Sequence, residues 1–301
     1  MDNSSRLKIA QKAALISAVS TSVVVAFKLV AAGISGSIAV LAESLQSTLD
    51  VAMALVALWT LKVASKPADD SHPFGHGKAE LLLSAFQMVL VILTSAVIAW
   101  QAALHLRDPH PLNADWGLAA MGYAVIANSI VIAYLKRTSR KTQSAALEGE
   151  AEHLRGDTLA SLGVIGGLIA YKLTALRQID PIVAIAFTLT GAVFAIKQLR
   201  KVLHPLMDGA LPEADLKIIQ TVLDTHPESR GYHNVLTRQT GLLRVVSLHV
   251  MLDDHLTFVS AHEIAENIEK ELSDALNGAF VTVHYEPYEA EIAHRKAVHG
   301  D

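Results

Sequence analysis

The sequence predicts an α-helical membrane protein with six transmembrane helices, followed by a small cytoplasmic α+β domain. Three observations support this fold class. Hydrophobic residues make up 51% of the 301-residue chain and charged residues only 18%, and the mean hydropathy is +0.36, values typical of a chain that crosses a membrane several times. Apolar segments near the length of a spanning helix recur through residues 13–205. Beyond Pro205 the hydrophobic runs are short enough for a soluble domain.

We expect residues 1–12 to form a cytoplasmic tail. This stretch is polar, and no small-residue cleavage site precedes the first apolar segment, so we interpret it as a retained tail and not as a signal peptide. The apolar segments that follow define a transmembrane domain over residues 13–205. The six expected spans are Ala13–Ile34, Ser37–Leu61, Leu81–Leu104, Trp116–Leu135, Ala145–Leu173 and Ile179–Ile196.

Basic residues indicate the orientation of these spans. They cluster before the first span, between the second and third, between the fourth and fifth, and after the sixth. The loops on the opposite side hold only Arg107, Lys172 and Arg177. Because cytoplasmic loops carry an excess of lysine and arginine, both termini are expected in the cytoplasm.

Residues 206–301 are expected to form the cytoplasmic α+β domain. Glu213–Thr225 has the period of an amphipathic helix, and Leu243–Leu252 alternates as a strand with one apolar face. A second helical period runs through Ala261–Leu276 and ends at an Asn-Gly pair, and Phe280–Glu286 alternates again as a strand.

The chain contains 14 histidines and no cysteine. Disulfides, iron–sulfur clusters and thiolate metal sites are therefore excluded, whereas sites built from imidazole and carboxylate remain open. In the second span Glu43, Gln46 and Asp50 fall on one helical stripe, and in the fifth span His153 and Asp157 lie four residues apart on one face. If the two stripes face each other, they form a ligand set suited to a divalent first-row metal. Its members are Gln46, Asp50, His153 and Asp157.

The alternative is that these polar groups only pair with one another and hold helices together. Because charged groups in lipid are costly, a functional use is favoured. Lys28 in the first span is interpreted as a lysine that snorkels or pairs two helices, and not as part of the site.

Two further groups of candidate ligands lie outside the spans. Asp69, His72 and His76 occur in a loop bounded by proline and glycine after the second span, where a solvated polar loop is an equally good interpretation. The soluble domain holds five candidate ligands on strand faces or at helix starts, which together indicate a metal site better than any one alone. These are His233, His249, His262, His284 and Glu286.

Two enzyme-like classes are disfavoured by their missing motifs. A membrane metalloprotease would need H-E-x-x-H, and the nearest match, residues 262–266, ends in Glu. An ATP-driven pump would need a phosphate loop, and residues 75–78 lack both its spacing and the following Ser or Thr. A passive channel and a membrane-bound metal sensor remain open at this point.

Over essentially its whole length the chain resembles the cation diffusion facilitators, most closely the YiiP/FieF-like bacterial branch. The resemblance is carried by GSIAVLAESLQSTLD, KPADDSHPFGHGKAE, EHLRGD, MDGALPEADL and TRQTG. It implies six spans in a homodimer, a cytoplasmic ferredoxin-like domain that lacks its first strand, and proton-coupled efflux of a divalent metal. It further implies a transporter and not an enzyme, in the bilayer of a bacterial inner membrane, with no nucleic-acid partner.

The resemblance also assigns residues position by position. It places the transport site at Gln46, Asp50, His153 and Asp157, and the loop site at Asp69, His72 and His76. It places the cytoplasmic site at His233, His249, His262, His284 and Glu286. Lys78 and Asp208 match a charge pair that in this family links the two protomers near the membrane surface.

Three departures from the family pattern concern the metal sites. Gln46 stands where relatives carry Asp or His, which removes one titratable group and weakens the attraction for zinc. Glu43 lies one helical turn from it and could supply the missing charge. Asn234 and Glu286 stand where the branch pattern has aspartates, so the number of metals bound there can differ.

The expected mechanism is alternating access. Asp50, His153 and Asp157 bind the cation when deprotonated, and protons from the outer side displace it, because histidine titrates near neutral pH. Zinc is the default metal, and iron(II), cobalt(II) and manganese(II) are alternatives, since an amide ligand should loosen selectivity. Copper(I) is disfavoured by the absence of thiolates.

Overall fold

The computed structural model describes residues 3–241 and 243–299. The chain forms two compact units. The first combines the chain up to Leu58 with Phe86–Leu199, and the second combines Trp59–Ala85 with the chain from Arg200 onward. The second and third long helices therefore contribute residues to both units. The helices and strands of the soluble domain all belong to the second unit.

Each of the six predicted spans corresponds to one long helix, and only Ser37, the first residue of the second span, lies outside its helix. The helices are α1 Asn3–Ser35, α2 Ile38–Ala64, α3 Lys78–Arg107, α4 Ala114–Thr142, α5 Ala145–Thr174 and α6 Ile179–Leu206. The described part of the expected tail, residues 3–12, is helical and continuous with α1.

Five of the described helices are long and apolar enough to cross a membrane, and α5 is not among them. The first half of α5 carries Glu148, Glu150, Glu152 and Arg155, and these charges set it apart from its neighbours. The helix packs on α4 and α1. Charged residues in a membrane span are tolerated where they face other helices or a water-filled cavity and not lipid.

Apolar side chains form two clusters inside the first unit. One includes Ala39, Met121 and Leu168, and the other includes Leu135 and Leu154. Both rely on small residues at several contacts, as expected where helices pack closely in a membrane. Elsewhere, large apolar side chains of the same helices are exposed, an arrangement suited to contact with lipid.

The start of α2 is held by Asp180 of α6. The carboxylate of Asp180, 4% exposed, accepts hydrogen bonds from the Ser37 hydroxyl and from the Ile38 N–H, the latter at 2.8 Å. A negative charge at this point satisfies free N–H groups and complements the helix dipole. This contact fixes the start of the helix that carries Asp50.

The soluble elements form the α+β domain that the sequence predicts. They are α7 Glu213–Thr225, β1 Tyr232–Thr240, β2 Leu243–Leu252, α8 Phe258–Ala275, β3 Phe280–Pro287 and α9 Tyr288–His299. The sheet has the order β1-β2-β3, in which β2 is antiparallel to β1 and parallel to β3. The four predicted elements are confirmed, whereas β1 and α9 were not predicted from the pattern.

The core of this domain lies between one sheet face and the helices. The alternating residues Val246, Leu248 and Val250 of β2 are fully buried and pack with Ile268 and Leu272 of α8. Because side chains alternate along a strand, the residues between them lie on the other sheet face. That other face is where the histidines of the strands meet.

Candidate functional site

Asp50, His153 and Asp157 converge within the first unit. The Nε2 atom of His153 lies 4.0 Å from Asp50 Oδ2 and 3.7 Å from Asp157 Oδ2, and one ligand atom from each residue lies within 4.8 Å of the others. Ligand atoms about 2.1 Å from a tetrahedral zinc would be about 3.4 Å apart. A small inward movement of these side chains would therefore place three ligand atoms around one ion.

Two helices create this arrangement. His153 and Asp157 are one turn apart on α5, so their side chains leave the same helix face. Asp50 reaches them from α2. Both aspartates are 21% exposed at the side chain and His153 is 49% exposed, so a cation could reach the three groups through water.

The three residues line a cavity of about 790 Å³ between α2, α3, α5 and α6. Gln46 lines the same cavity, as the sequence led us to expect of a fourth ligand, and its ligand role stays a prediction. Gln87 of α3 also lines it and hydrogen-bonds the Asp50 carboxylate. Sequence reasoning missed Gln87, although an amide in an otherwise apolar span is the kind of signal that could have marked it.

Glu43 does not line this cavity. Its Oε1 atom lies 2.5 Å from Lys28 Nζ and accepts a hydrogen bond of 2.8 Å from the Ser161 hydroxyl. Lys28 and Glu43 are 1% and 2% exposed, so Lys28 pairs helices and does not snorkel. The ion pair joins α1 to α2, and the hydrogen bond from Ser161 adds α5. The ligand role that the sequence allows for Glu43 stays a prediction.

The loop residues Asp69, His72 and His76 also lie together. Asp69 Oδ1 is 3.4 Å from His72 Nδ1, and Asp69 Oδ2 is 3.4 Å from His76 Nε2. The hydrogen bond from the Ser71 hydroxyl, followed by that from the backbone N–H of His72, lowers the pKa of Asp69 to about 2. The other ring nitrogen of His76 is buried and has no hydrogen-bond partner among the described residues. The loop thus presents an ionised carboxylate to two imidazoles.

Three histidines lie in one row across the sheet. His249 of β2 pairs in register with His233 of β1 and with His284 of β3. Glu286 lies two residues beyond His284 on the same sheet face, and its Oε1 atom is 2.7 Å from His249 Nδ1 and 3.5 Å from His284 Nε2. Its Oε2 atom is 3.4 Å from His233 Nε2. Four of the five predicted cytoplasmic ligands therefore meet on one sheet face.

His262 is not part of this group in the protomer. It lies on α8, its Nε2 atom is 3.4 Å from Glu266 Oε1, and its side chain is 57% exposed. Its role as a ligand stays a prediction. Asn234, which the family resemblance placed near this site, lies beside the group of four, and so does Glu291, which sequence reasoning missed.

Lys78 and Asp208 form an ion pair within one chain. Lys78 Nζ donates a hydrogen bond of 2.8 Å to Asp208 Oδ1, and this bond is the main cause of a lowered pKa for Asp208. The Arg238 guanidinium lies 3.5 Å from the other carboxylate oxygen. The pair forms without a second protomer, and the expected link between protomers stays a prediction.

Both parts of the chain match known protein families. Residues 14–207 match a family model described as the cation efflux transmembrane domain, and residues 211–288 match one described as the cation efflux protein cytoplasmic domain.

Individual relatives cover most of the chain. An uncharacterized transporter of Synechocystis sp. is 33% identical over 264 residues, which cover 87% of this chain and 85% of that protein. The cation-efflux pump FieF of Serratia proteamaculans is 29% identical over 281 residues, 93% of each chain. Among solved structures, the metal-bound C-terminal domain of the CzcD transporter from Thermotoga maritima is 26% identical, covers 26% of this chain and 95% of that one, and has a TM-score of 0.24.

Proposed function

The chain belongs to the cation efflux family, and we propose on that basis that its cargo is a divalent first-row transition metal, exported from the cytoplasm in exchange for protons. The membrane is a bacterial inner membrane with both termini on the cytoplasmic side. This orientation rests on the basic residues between the spans.

The convergence of Asp50, His153 and Asp157 in a cavity between four helices carries the proposal. Two carboxylates and an imidazole suit zinc, which is the default cargo. Iron(II), cobalt(II) and manganese(II) accept the same donor types, whereas copper(I) prefers thiolates, which this chain lacks.

Exchange follows because metal and protons compete for the same ligand atoms. An imidazole must lose its proton before it binds a metal, and carboxylates must be ionised. Deprotonated His153, Asp50 and Asp157 take the cation from the cytoplasmic side, and protons from the outer side displace it. The Gln46 amide can coordinate the ion but does not titrate, so the proton count per cycle depends on the other three residues.

The two groups outside the cavity are proposed as binding sites for resident ions. His233, His249, His284 and Glu286 offer three imidazoles and a carboxylate on one sheet face, and the buried Glu286 Oε2 has no hydrogen-bond partner in the ranges 3–241 and 243–299. A bound divalent ion would satisfy that oxygen and cross-link the three strands.

The loop group Asp69, His72 and His76 offers a smaller set of the same donor types. The cytoplasmic domain further mediates a homodimer, as expected of this family.

Zinc flux into vesicles tests the exchange. The purified protein is reconstituted with a zinc-sensitive dye inside, and zinc is added outside with the interior either acidic or at the external pH. An exchanger takes up zinc faster with an acidic interior, and a proton ionophore together with a potassium ionophore abolishes the difference. Uptake that ignores the pH gradient would indicate a passive channel, and uptake no faster than in empty vesicles would indicate a sensor. Either result contradicts the proposal.

A further inference from the structure

We propose that Glu291 of the C-terminal helix α9 is a further ligand of the cytoplasmic metal site, so that one protomer alone supplies a donor set with two carboxylates. The inference rests on the proposed binding of a divalent cation by His233, His249, His284 and Glu286. It adds a residue that lies outside the strands and beyond residues 211–288, which match the family model of the cytoplasmic domain.

Chain geometry brings Glu291 to the site. Helix α9 begins at Tyr288, immediately after β3 ends at Pro287, and it packs on β3 and β2. Its first turn lies beside the sheet face that carries the histidine row and reaches His233 of β1. Glu291 Oε1 lies 3.8 Å from His233 Nε2, and the Glu291 side chain is only 18% exposed.

The spacing fits shared coordination better than a direct hydrogen bond. A separation of 3.8 Å is too long for an N–H···O bond, which spans about 2.7–3.2 Å. Two ligand atoms on one tetrahedral zinc would lie about 3.4 Å apart, and His233 Nε2 has both Glu286 Oε2 at 3.4 Å and Glu291 Oε1 at 3.8 Å. His233, His249 and Glu286 place ligand atoms within 4.8 Å of one another, and Glu291 lies outside that group. A cation bound by these three residues would attract the Glu291 carboxylate, which a rotation of its side chain could bring into contact.

An unpaired polar atom points to the same place. Glu286 Oε2 is buried without a hydrogen-bond partner within the part of the chain that the structure describes. Burying a polar atom without a partner is costly, and more so for a charged group. A cation beside Glu286 Oε2 would remove that cost. It would also attract a second carboxylate to the site, that of Glu291.

The charges of the neighbouring residues support a need for Glu291. Asn234 stands where the family pattern has an aspartate, and its Nδ2 atom lies 3.2 Å from His249 Nε2, so it orients that ring and adds no charge. Glu286 alone would leave a divalent ion half neutralised. Glu291 supplies the second negative charge, while the exposed His262 stays with Glu266 on α8.

Cobalt binding to the full-length protein in detergent tests this inference. Co²⁺ is added to Glu291→Gln and to the matched control Glu289→Gln, which changes an exposed glutamate on the same helix. We expect Glu291→Gln to weaken one class of sites by at least about tenfold and to change the visible absorption of bound Co²⁺, and Glu289→Gln to match the wild type. Affinity within twofold of the wild type together with an unchanged spectrum in Glu291→Gln would overturn the inference.

A third variant separates this inference from the proposed site itself. Glu286→Gln removes the carboxylate that contacts all three histidines. If Glu286→Gln weakens cobalt binding and Glu291→Gln does not, only the role of Glu291 fails. If neither variant changes binding, the cytoplasmic site itself fails, and the inference fails with it.

Discussion

The buried ion pair between Lys28 and Glu43 allows a quantitative prediction. Both side chains are almost fully enclosed, the charged atoms are 2.5 Å apart, and Ser161 donates a second hydrogen bond to the same carboxylate oxygen. Removing one member of a buried pair leaves the other charge without compensation, which costs about 3–5 kcal/mol. We therefore expect Lys28→Met or Glu43→Gln to lower the free energy of unfolding by about 3–5 kcal/mol.

The double variant gives the sharper result. With both charges removed, no buried charge is left uncompensated, so Lys28→Met/Glu43→Gln should be more stable than either single variant. Replacing an entire buried pair is often close to neutral, and the coupling free energy should therefore be at least about 2 kcal/mol. Ser161→Ala, which removes one hydrogen bond to a charged group, should cost about 1.5–3 kcal/mol.

A surface pair provides the matched control. Lys172 Nζ and Asp115 Oδ1 are also 2.5 Å apart, but their side chains are 47% and 77% exposed. Exposed pairs contribute about 0–1 kcal/mol, so Lys172→Met should change stability by less than about 1 kcal/mol. Unfolding of the purified proteins by sodium dodecyl sulfate in mixed micelles measures all of these values.

Two outcomes would refute this reasoning. Equal and small effects for the buried and the exposed pair would show that the interior charges are well solvated. A Glu43→Gln variant with normal stability but weakened zinc binding would show that Glu43 acts as a ligand, as the sequence alone allowed, and not as the partner of Lys28.

Three further predictions concern single residues. Gln46→Asp restores a charged ligand and should shift the metal preference of transport toward zinc and away from cobalt(II) and manganese(II), as measured by uptake from mixed metals into vesicles. An unchanged preference would show that this residue does not set selectivity. The pKa of Asp69 is lowered to about 2, so its stabilising contribution is complete above about pH 4 and is lost only as the pH falls toward 2. Acidification from pH 7 to pH 5 therefore leaves the charge of Asp69 unchanged, and Asp69→Asn should weaken zinc binding by the loop at both pH values, whereas an unchanged affinity in a titration at either pH would contradict this. Asp180→Asn weakens the hydrogen bonds to Ser37 and Ile38 and should cost about 1–3 kcal/mol of unfolding free energy, whereas a change below about 0.5 kcal/mol would contradict the proposed role at the start of α2.

Helices α1–α8 and strands β2 and β3 could be predicted because their signals are local. Long apolar runs mark the spans, and the alternation in β2 marks its buried face. Strand β1 escaped prediction because the register slips between His233 and Leu236 and Asn234 has a positive φ of 49°, which breaks the alternation. Helix α9 has a mixed, mostly polar sequence, so its periodicity was too weak to recognise.

The candidate site was predictable only where spacing along one helix decides proximity. His153 and Asp157 share a face of α5 whatever surrounds them. Which groups approach from other helices depends on rotation and packing: Glu43 shares a helical stripe with Asp50, yet it turns to Lys28. Gln87 approaches Asp50 from another helix and Glu291 approaches His233 from the far side of the domain sequence. An amide in an apolar span marks Gln87 as unusual, but the pattern along the chain does not show which residues either side chain contacts.

Zinc flux through one variant pair tests the central claim most directly. The initial rate of zinc uptake into vesicles with an acidic interior is compared for Asp157→Asn, in the cavity, and Asp115→Asn, in the exposed pair with Lys172. The proposed site predicts that Asp157→Asn falls to the rate of empty vesicles while Asp115→Asn keeps the wild-type rate. Uptake by Asp157→Asn at the wild-type rate would show that the cation crosses without this carboxylate, and the site formed with Asp50 and His153 would have to be abandoned.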